Sequence, residues 1–291
     1  MINKGIILAG GTGSRLKPVT NYLNKHLLPI NDKPMVYYPL SVLMLSGIKK
    51  INILIKEEDK SNFQKCIGST ENLGIDITYS FERESQGIPN FINLCKDFIG
   101  NSNICVILGD NFFYGQALSN YLNNIKKNKS GTLIFTYPVS NTSQYGILEE
   151  TNNKKKFKLV EKPKKTFSNL AITGLYVFDN KIKNYINKLK KSKRGEFEII
   201  DLLNLYLKNK NLNICKLGRG ASWFDCGTFS SLGEVTSLVA ILEKKQSFKI
   251  ACLEEIAYRN NWINKKNIQN RIKFYGKTEY SEYLSFLIKK L

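Results

Sequence analysis

Histidine occurs once in 291 residues, at His26. A lone imidazole excludes most histidine-based triads and multi-histidine metal centres, which need that ring as base or ligand in company. The six cysteines, at positions 66, 95, 105, 215, 226 and 252, include no C-x-x-C pair and lie mostly inside apolar runs. That pattern suggests neither a disulfide frame nor a zinc site; it reads as small core residues in a reducing, cytoplasmic setting. No apolar stretch approaches the ~20 residues of a membrane span. The chain enters a strand within its first residues, so neither a signal peptide nor a membrane partner is expected. Hexapeptide repeats, linkers and low-complexity segments are missing as well. Acidic residues are scarce, 24 against 44 basic ones, for a net charge of +20. Nucleic-acid binding is the tempting inference. The excess is spread along the chain, however, in runs such as Lys126-Lys127 and Lys188 to Arg194, without the aromatic interleaving of a single-strand binder. No nucleic-acid partner is expected, although the charge suits small polyanions such as a nucleoside triphosphate.

What is present begins at once. Ile6-Ile7-Leu8-Ala9 has the length and β-branched content of a buried strand and empties into Gly10-Gly11-Thr12-Gly13-Ser14-Arg15. Glycines let the backbone approach a ligand closely and take left-handed angles, so successive N–H groups can converge on an anion. The carboxyl end of a buried strand is where open α/β sheets bind nucleotides, and Arg15 adds a permanent fork-shaped charge. An ordinary tight turn is the alternative reading of these residues alone. The ATPase loop is excluded because Gly13 is followed by Ser14-Arg15 and not by Lys-Ser/Thr; the dinucleotide fingerprint is excluded because Leu16 stands where a third glycine is needed.

Apolar periodicity predicts a helix over 35–46, strands over 51–55 and 75–80, and a helix over 60–66, giving βαβαβ and a parallel sheet. Segment 81–91 reads as a loop, and a buried strand over 104–108 ends in Gly109-Asp110-Asn111. An aspartate at that strand tip can hold a divalent cation against phosphate oxygens; equally, it can be a turn residue. Further strands are predicted over 131–137, 145–149, 157–161, 170–177 and 212–217, with helices over 118–127, 199–208 and 230–246 before a run of short C-terminal helices.

The longer pattern is more specific. Leu8-Ala9-Gly10-Gly11-Thr12-Gly13-Ser14-Arg15-Leu16, then Pro18, Thr20, Lys25 and Leu28-Pro29, closely resembles the signature of sugar nucleotidyltransferases. The continuation Lys33-Pro34-Met35-Val36-Tyr37-Tyr38-Pro39-Leu40 narrows the resemblance to the glucose-1-phosphate thymidylyltransferases. It runs from residue 4 to about residue 290. It implies an α/β fold: one Rossmann-like domain with a mixed, mainly parallel sheet over 1–246, a nucleotide half to about 115 and a sugar-phosphate half beyond it, and a helical extension over 247–291.

The resemblance also implies roles. Gly10, Gly11, Thr12, Gly13, Glu82 and Gly87 would bind the nucleotide. Arg15 and Lys25 would balance triphosphate charge, and Lys162 would hold the sugar phosphate. Asn111, Gly146, Glu161, Ile172 and Arg194 would contact the sugar phosphate, and Asp110 with Asp225 would hold Mg²⁺. Tyr114, Gly115, Glu255, Ile256 and Arg259 match a second, inhibitory site for a deoxysugar nucleotide between subunits of a homotetramer; Ser119 replaces a histidine that some relatives carry there. The implied reaction joins dTTP or UTP to a sugar 1-phosphate and releases pyrophosphate. Where the family has glutamine facing the base, this chain has Glu82, and Gly87-Ile88-Pro89-Asn90 replaces Gly-Leu-Ala-Gln. A carboxylate only accepts hydrogen bonds, so CTP or GTP specificity is an alternative reading, as is a silent nucleotide-sugar sensor.

Overall fold

A computed structural model describes residues 2–150 and 157–290. The chain opens with β1 (Lys4–Leu8), a small hairpin of β2 (Pro29–Ile30) and β3 (Lys33–Pro34), α1 (Tyr37–Leu45), β4 (Lys50–Ile55), α2 (Lys60–Ile67) and β5 (Asp76–Phe81). Next come α3 (Ile88–Leu94), α4 (Lys96–Ile99), β6 (Ile104–Leu108), β7 (Asn111–Tyr114), α5 (Leu118–Lys127) and β8 (Thr132–Pro138). The second half holds β9 (Gly146–Glu150), β10 (Phe157–Glu161), β11 (Leu170–Phe178), α6 (Ile182–Ile186), α7 (Ile199–Lys208), β12 (Leu212–Lys216) and β13 (Ser222–Asp225). Four helices close the chain: α8 (Phe229–Gln246), α9 (Leu253–Arg259), α10 (Lys265–Tyr275) and α11 (Glu279–Lys290).

The main sheet runs β5-β4-β1-β6-β11-β8-β12, with the β9–β10 hairpin joined to the start of β11. β5, β4, β1 and β6 are parallel, whereas β11 is antiparallel to β6 and β8, so the sheet is mixed. β1 lies inside the parallel part, covered on both faces. Ile7 points into the cluster with Leu40, Leu43 and Phe63 of α1 and α2, while Ile6 and Leu8 point into the opposite cluster with Ile92, Val106 and Tyr206. Strand periodicity thus sends alternate side chains into two cores, and the glycine turn leaves the sheet at its middle.

Two segments depart from the expectation. Segment 81–91 is helical from Ile88, because Gly87 (φ 92°) turns the chain and Pro89 falls in the first helical turn, where its missing N–H costs nothing. β7 and β13, too short to show a period, pair antiparallel and set Asp225 opposite Asn111.

The C-terminal helices bury a small cluster of Cys252, Ile268, Tyr280, Leu284 and Leu287. They dock through a buried ion pair: Arg271 Nε donates to Glu254 Oε1 at 2.7 Å and Arg271 Nη1 donates to the Ile67 carbonyl at 2.8 Å. Tyr280 Oη donates to Glu254 Oε2 at 2.7 Å, so each oxygen of the carboxylate has a donor. Removing one partner of such a pair costs about 3–5 kcal/mol, because the other is left buried and alone. The six cysteines are free thiols, and no described helix is long and apolar enough to cross a membrane.

Candidate active site

The glycine turn is shaped by what lies against it. Gly11 (φ 84°) and Gly13 (φ 59°) take left-handed angles, and a Cβ on Gly10 would land on the Glu82 carboxyl carbon. Glu82, buried at the end of β5, accepts from the Gly11 amide through Oε1, while its Oε2 is buried without a partner among the described residues. Burial raises its proton affinity above the ordinary carboxylate range. The glutamate therefore sits behind the turn and anchors it. Thr20 Oγ1 closes the turn from the other side by donating to the Gly13 carbonyl at 2.8 Å.

Asn24 prepares Lys25. It caps the short turn that follows, accepting from the His26 amide at 3.0 Å, and its Nδ2 donates to Asp59 Oδ2 at 2.7 Å. Lys25 Nζ reaches Asp110 Oδ2. Burial alone would raise Asp110, but the Lys25 ammonium beside it holds the carboxyl well below the usual range. His26 is buried behind Gly109; burial and then the Lys25 charge push it down to about 3, so the ring is neutral. A groove of about 320 Å³ opens here, lined by Gly11, Thr12, Thr20, Lys25, Lys56 and Asp59.

Asp225 comes to the same place from β13: the following Cys226 amide donates to the Asp110 carbonyl at 2.8 Å. Arg15 Nη2 stands 3.8 Å from Asp225 Oδ2, and Asp225 Oδ1 is buried without a partner among the described residues. Burial, then the neighbouring Asp110 carboxylate, pushes Asp225 up to about 6. An orphaned carboxylate oxygen beside a second carboxylate is a place where a cation relieves both penalties, so the pair fits a hard divalent ion completed by phosphate oxygens and water. Among the described residues no cluster of three or more metal-ligating side chains exists.

On the other flank, Asn111 is a hub. Its Oδ1 accepts from Trp223 Nε1 at 2.6 Å and the Gly174 amide at 2.9 Å, and its Nδ2 donates to Asp110 Oδ1 at 3.1 Å. Tyr145 packs edge-on against Trp223 with centroids 5.2 Å apart. Glu161 has Lys162 Nζ at 3.7 Å and Arg194 Nη1 at 4.0 Å, and burial raises its proton affinity. Gly146 lies beside Glu161, where a Cβ would stand 3.6 Å from Oε2, and Lys162 holds a strained φ of 41°. Ile172 is different: its side chain belongs to the core cluster of Leu148 and Leu159, so only its backbone can face a ligand. Gly87 joins the two flanks, because a Cβ there would strike the Phe197 carbonyl, and the Phe197 amide donates to the Gln86 carbonyl at 2.9 Å.

Away from this centre, Tyr114, Gly115, Glu255, Ile256 and Arg259 line one cavity of about 450 Å³ together with Ser119 and the turn 248–252. Arg259 Nε donates to Glu255 Oε1 at 2.7 Å. Sequence reasoning missed Asn24, Asp59, Lys56, Tyr145 and Trp223. Asn24 carried a readable signal, an Asn directly before a turn-forming lysine; the others are brought in by tertiary packing.

The Nucleotidyl transferase family model matches residues 4–240. A glucose-1-phosphate thymidylyltransferase from Neisseria gonorrhoeae is 44% identical over 99% of this chain and 100% of its own length. One from Mycolicibacterium smegmatis is 39% identical over 99% of both chains. The structure is also similar to that of UDP-glucose pyrophosphorylase with UDP-glucose, with a TM-score of 0.72 at 24% identity, covering 84% of this chain and 100% of that one. The chain belongs to the nucleotidyl transferase family. It is an enzyme of sugar-nucleotide synthesis, joining a nucleotidyl group to a sugar 1-phosphate.

Proposed function

We propose that the substrates are dTTP, or its close analogue UTP, and glucose 1-phosphate, giving dTDP-glucose and pyrophosphate. The observation that carries this is the meeting of Lys25 and Arg15 with Asp110 and Asp225 at the mouth of the glycine turn, on a chain 44% identical to a glucose-1-phosphate thymidylyltransferase. With the Gly11 amide taken by Glu82, the amides of Thr12 and Gly13 and the Lys25 ammonium cradle the triphosphate. Lys162 and Arg194, on the opposite flank, hold the phosphate of the sugar, and Glu161 accepts from sugar hydroxyls. A phosphate monoester is already an anion at neutral pH, so no strong base is required. An oxygen of the sugar phosphate attacks the α-phosphorus in line, a new P–O bond forms, and the bond to the leaving pyrophosphate breaks. Catalysis then rests on positioning and on neutralising charge, with Arg15 and Lys25 balancing the departing group.

Asp110 and Asp225 would hold Mg²⁺, which would supply Lewis-acid neutralisation of phosphate charge. The cavity around Tyr114 and Arg259 would bind a deoxysugar nucleotide as an inhibitor, and the molecule would act as a homotetramer. The test is a pyrophosphate-release screen of the nucleoside triphosphates against a panel of sugar 1-phosphates. Release only with dTTP or UTP and glucose 1-phosphate supports the reading. Preference for CTP or GTP replaces its base specificity, and no release with any pair removes catalysis.

A further inference from the structure

Glu243 lies near the end of α8 and lines neither the triphosphate groove nor the second cavity, yet its buried carboxylate collects four donors. Oε1 accepts from Lys33 Nζ and from the Ile250 amide, both at 2.8 Å. Oε2 accepts from Asn31 Nδ2 and from Lys249 Nζ, both at 3.1 Å. Two donors thus come from the β2–β3 hairpin and two from the turn after α8. Lys33 and Lys249 also share Asp32, which makes the node a network of two lysines and two carboxylates, buried at Lys33 and Glu243 and open to solvent at Asp32.

The pieces joined here lead straight to the site. The hairpin continues the turn that carries Lys25, and it is tied back to it: the Met35 amide donates to the Leu28 carbonyl at 2.9 Å and the Val36 amide to the His26 carbonyl at 2.8 Å. At its other end α8 starts at Thr228, fixed by a reciprocal cap with Ser231, directly after Asp225-Cys226-Gly227. The helix therefore follows directly on the strand end that carries Asp225, and at its finish it grips the hairpin that follows Lys25. Three non-glycine residues with left-handed backbone surround the node: Asn31 (φ 56°), Ser247 (φ 54°) and Ala251 (φ 53°). Such angles persist only where the surroundings over-determine them. Well-packed apolar residues would give comparable stability to a buried ion network, so what the network adds is a fixed geometry.

We propose that Glu243 is a positioning residue for nucleotidyl transfer: it sets the Lys25 ammonium relative to Asp225 by tying both to α8. This rests on the assignment of Lys25 to the triphosphate.

The experiment measures dTTP binding by calorimetry without sugar phosphate, and KM for each substrate, in Glu243→Gln, Asn31→Gly, Lys25→Ala and the Glu243→Gln/Lys25→Ala double variant. Glu243→Gln is expected to weaken dTTP binding and raise its KM by about tenfold while the KM for glucose 1-phosphate moves less than about twofold. Asn31→Gly removes one donor at a position whose φ suits glycine, so it folds, and it should shift dTTP in the same direction by about threefold. In the Lys25→Ala background, Glu243→Gln should add nothing, because coupled residues are not additive. Variants that melt lower but bind dTTP like the wild type would make Glu243 purely structural and overturn the proposal, and additive losses in the double variant would overturn the route through Lys25. Unchanged dTTP binding in Lys25→Ala would instead fault the assignment of Lys25.

Discussion

At the scale of single residues, the site separates its charges by what each is buried against. Asp110 has an ammonium in contact and stays ionised; Asp225 has an exposed guanidinium at 3.8 Å and an orphaned oxygen. Asp110→Asn and Asp225→Asn should each lower kcat by about 100-fold or more with an unchanged circular dichroism spectrum, the scale of several kcal/mol of charge stabilisation. Near-wild-type turnover in both would remove the pair from the chemistry. The cations divide the work: Lys25→Ala should raise KM for dTTP and Lys162→Ala that for glucose 1-phosphate, and equal effects on both substrates would contradict their placement on opposite flanks. Glu82 carries a different kind of forecast. Burial raises its folded-state proton affinity above that of the unfolded chain. Its favourable contribution is therefore complete below the ordinary carboxyl range and lost as pH rises through the folded value. Glu82→Gln, which keeps an acceptor for the Gly11 amide, should raise the melting temperature at pH 7.5 and lose that advantage towards pH 4. A variant with no gain at pH 7.5 would show that the Glu82 charge costs nothing.

At the scale of elements, legibility followed length. β6, α5 and α7 stand where apolar periodicity sets them, because a strand buried on both faces and amphipathic helices write a clear pattern. β7 and β13 do not, since four residues hold no period and their pairing is a contact between positions far apart in sequence. The glycine turn, Arg15 and the strand-tip Asp110 could be suspected from local chemistry, whereas Lys25 reads locally as a surface lysine. Asp225, Glu161 and Lys162 were visible only through family resemblance, for their neighbours in sequence give no hint of their neighbours in space. Gly87 shows the same limit: read as a nucleotide contact, it is also the point where the loop after β5 touches the Phe197 backbone. Gly87→Ala combines a forbidden angle with a backbone clash, so it should cost about 1–3 kcal/mol in chemical denaturation. Because the loop and the 194–198 segment would part, both substrates' KM values should rise; a change in one alone would mean the contact is not shared.

At the scale of the molecule, the second cavity raises a question of stoichiometry. It is formed by β7, α9 and the turn after α8, on a face separate from the triphosphate groove, and none of its lining residues lines that groove. An active site that makes a nucleotide sugar binds one such molecule per chain. If the second cavity takes a nucleotide deoxysugar, saturating calorimetry with a dTDP-deoxysugar should give two sites per chain. Arg259 would supply the positive side for a diphosphate, and Tyr114 would offer a ring for a base. Ile256→Trp adds an indole into about 450 Å³ of space at a helix position that is only partly buried, so it should fill the cavity without crossing the core. The variant should bind one equivalent where the wild type binds two, and inhibition by the dTDP-deoxysugar should become purely competitive with the substrates. One equivalent in the wild type, or two in the variant, would leave the cavity without a nucleotide ligand.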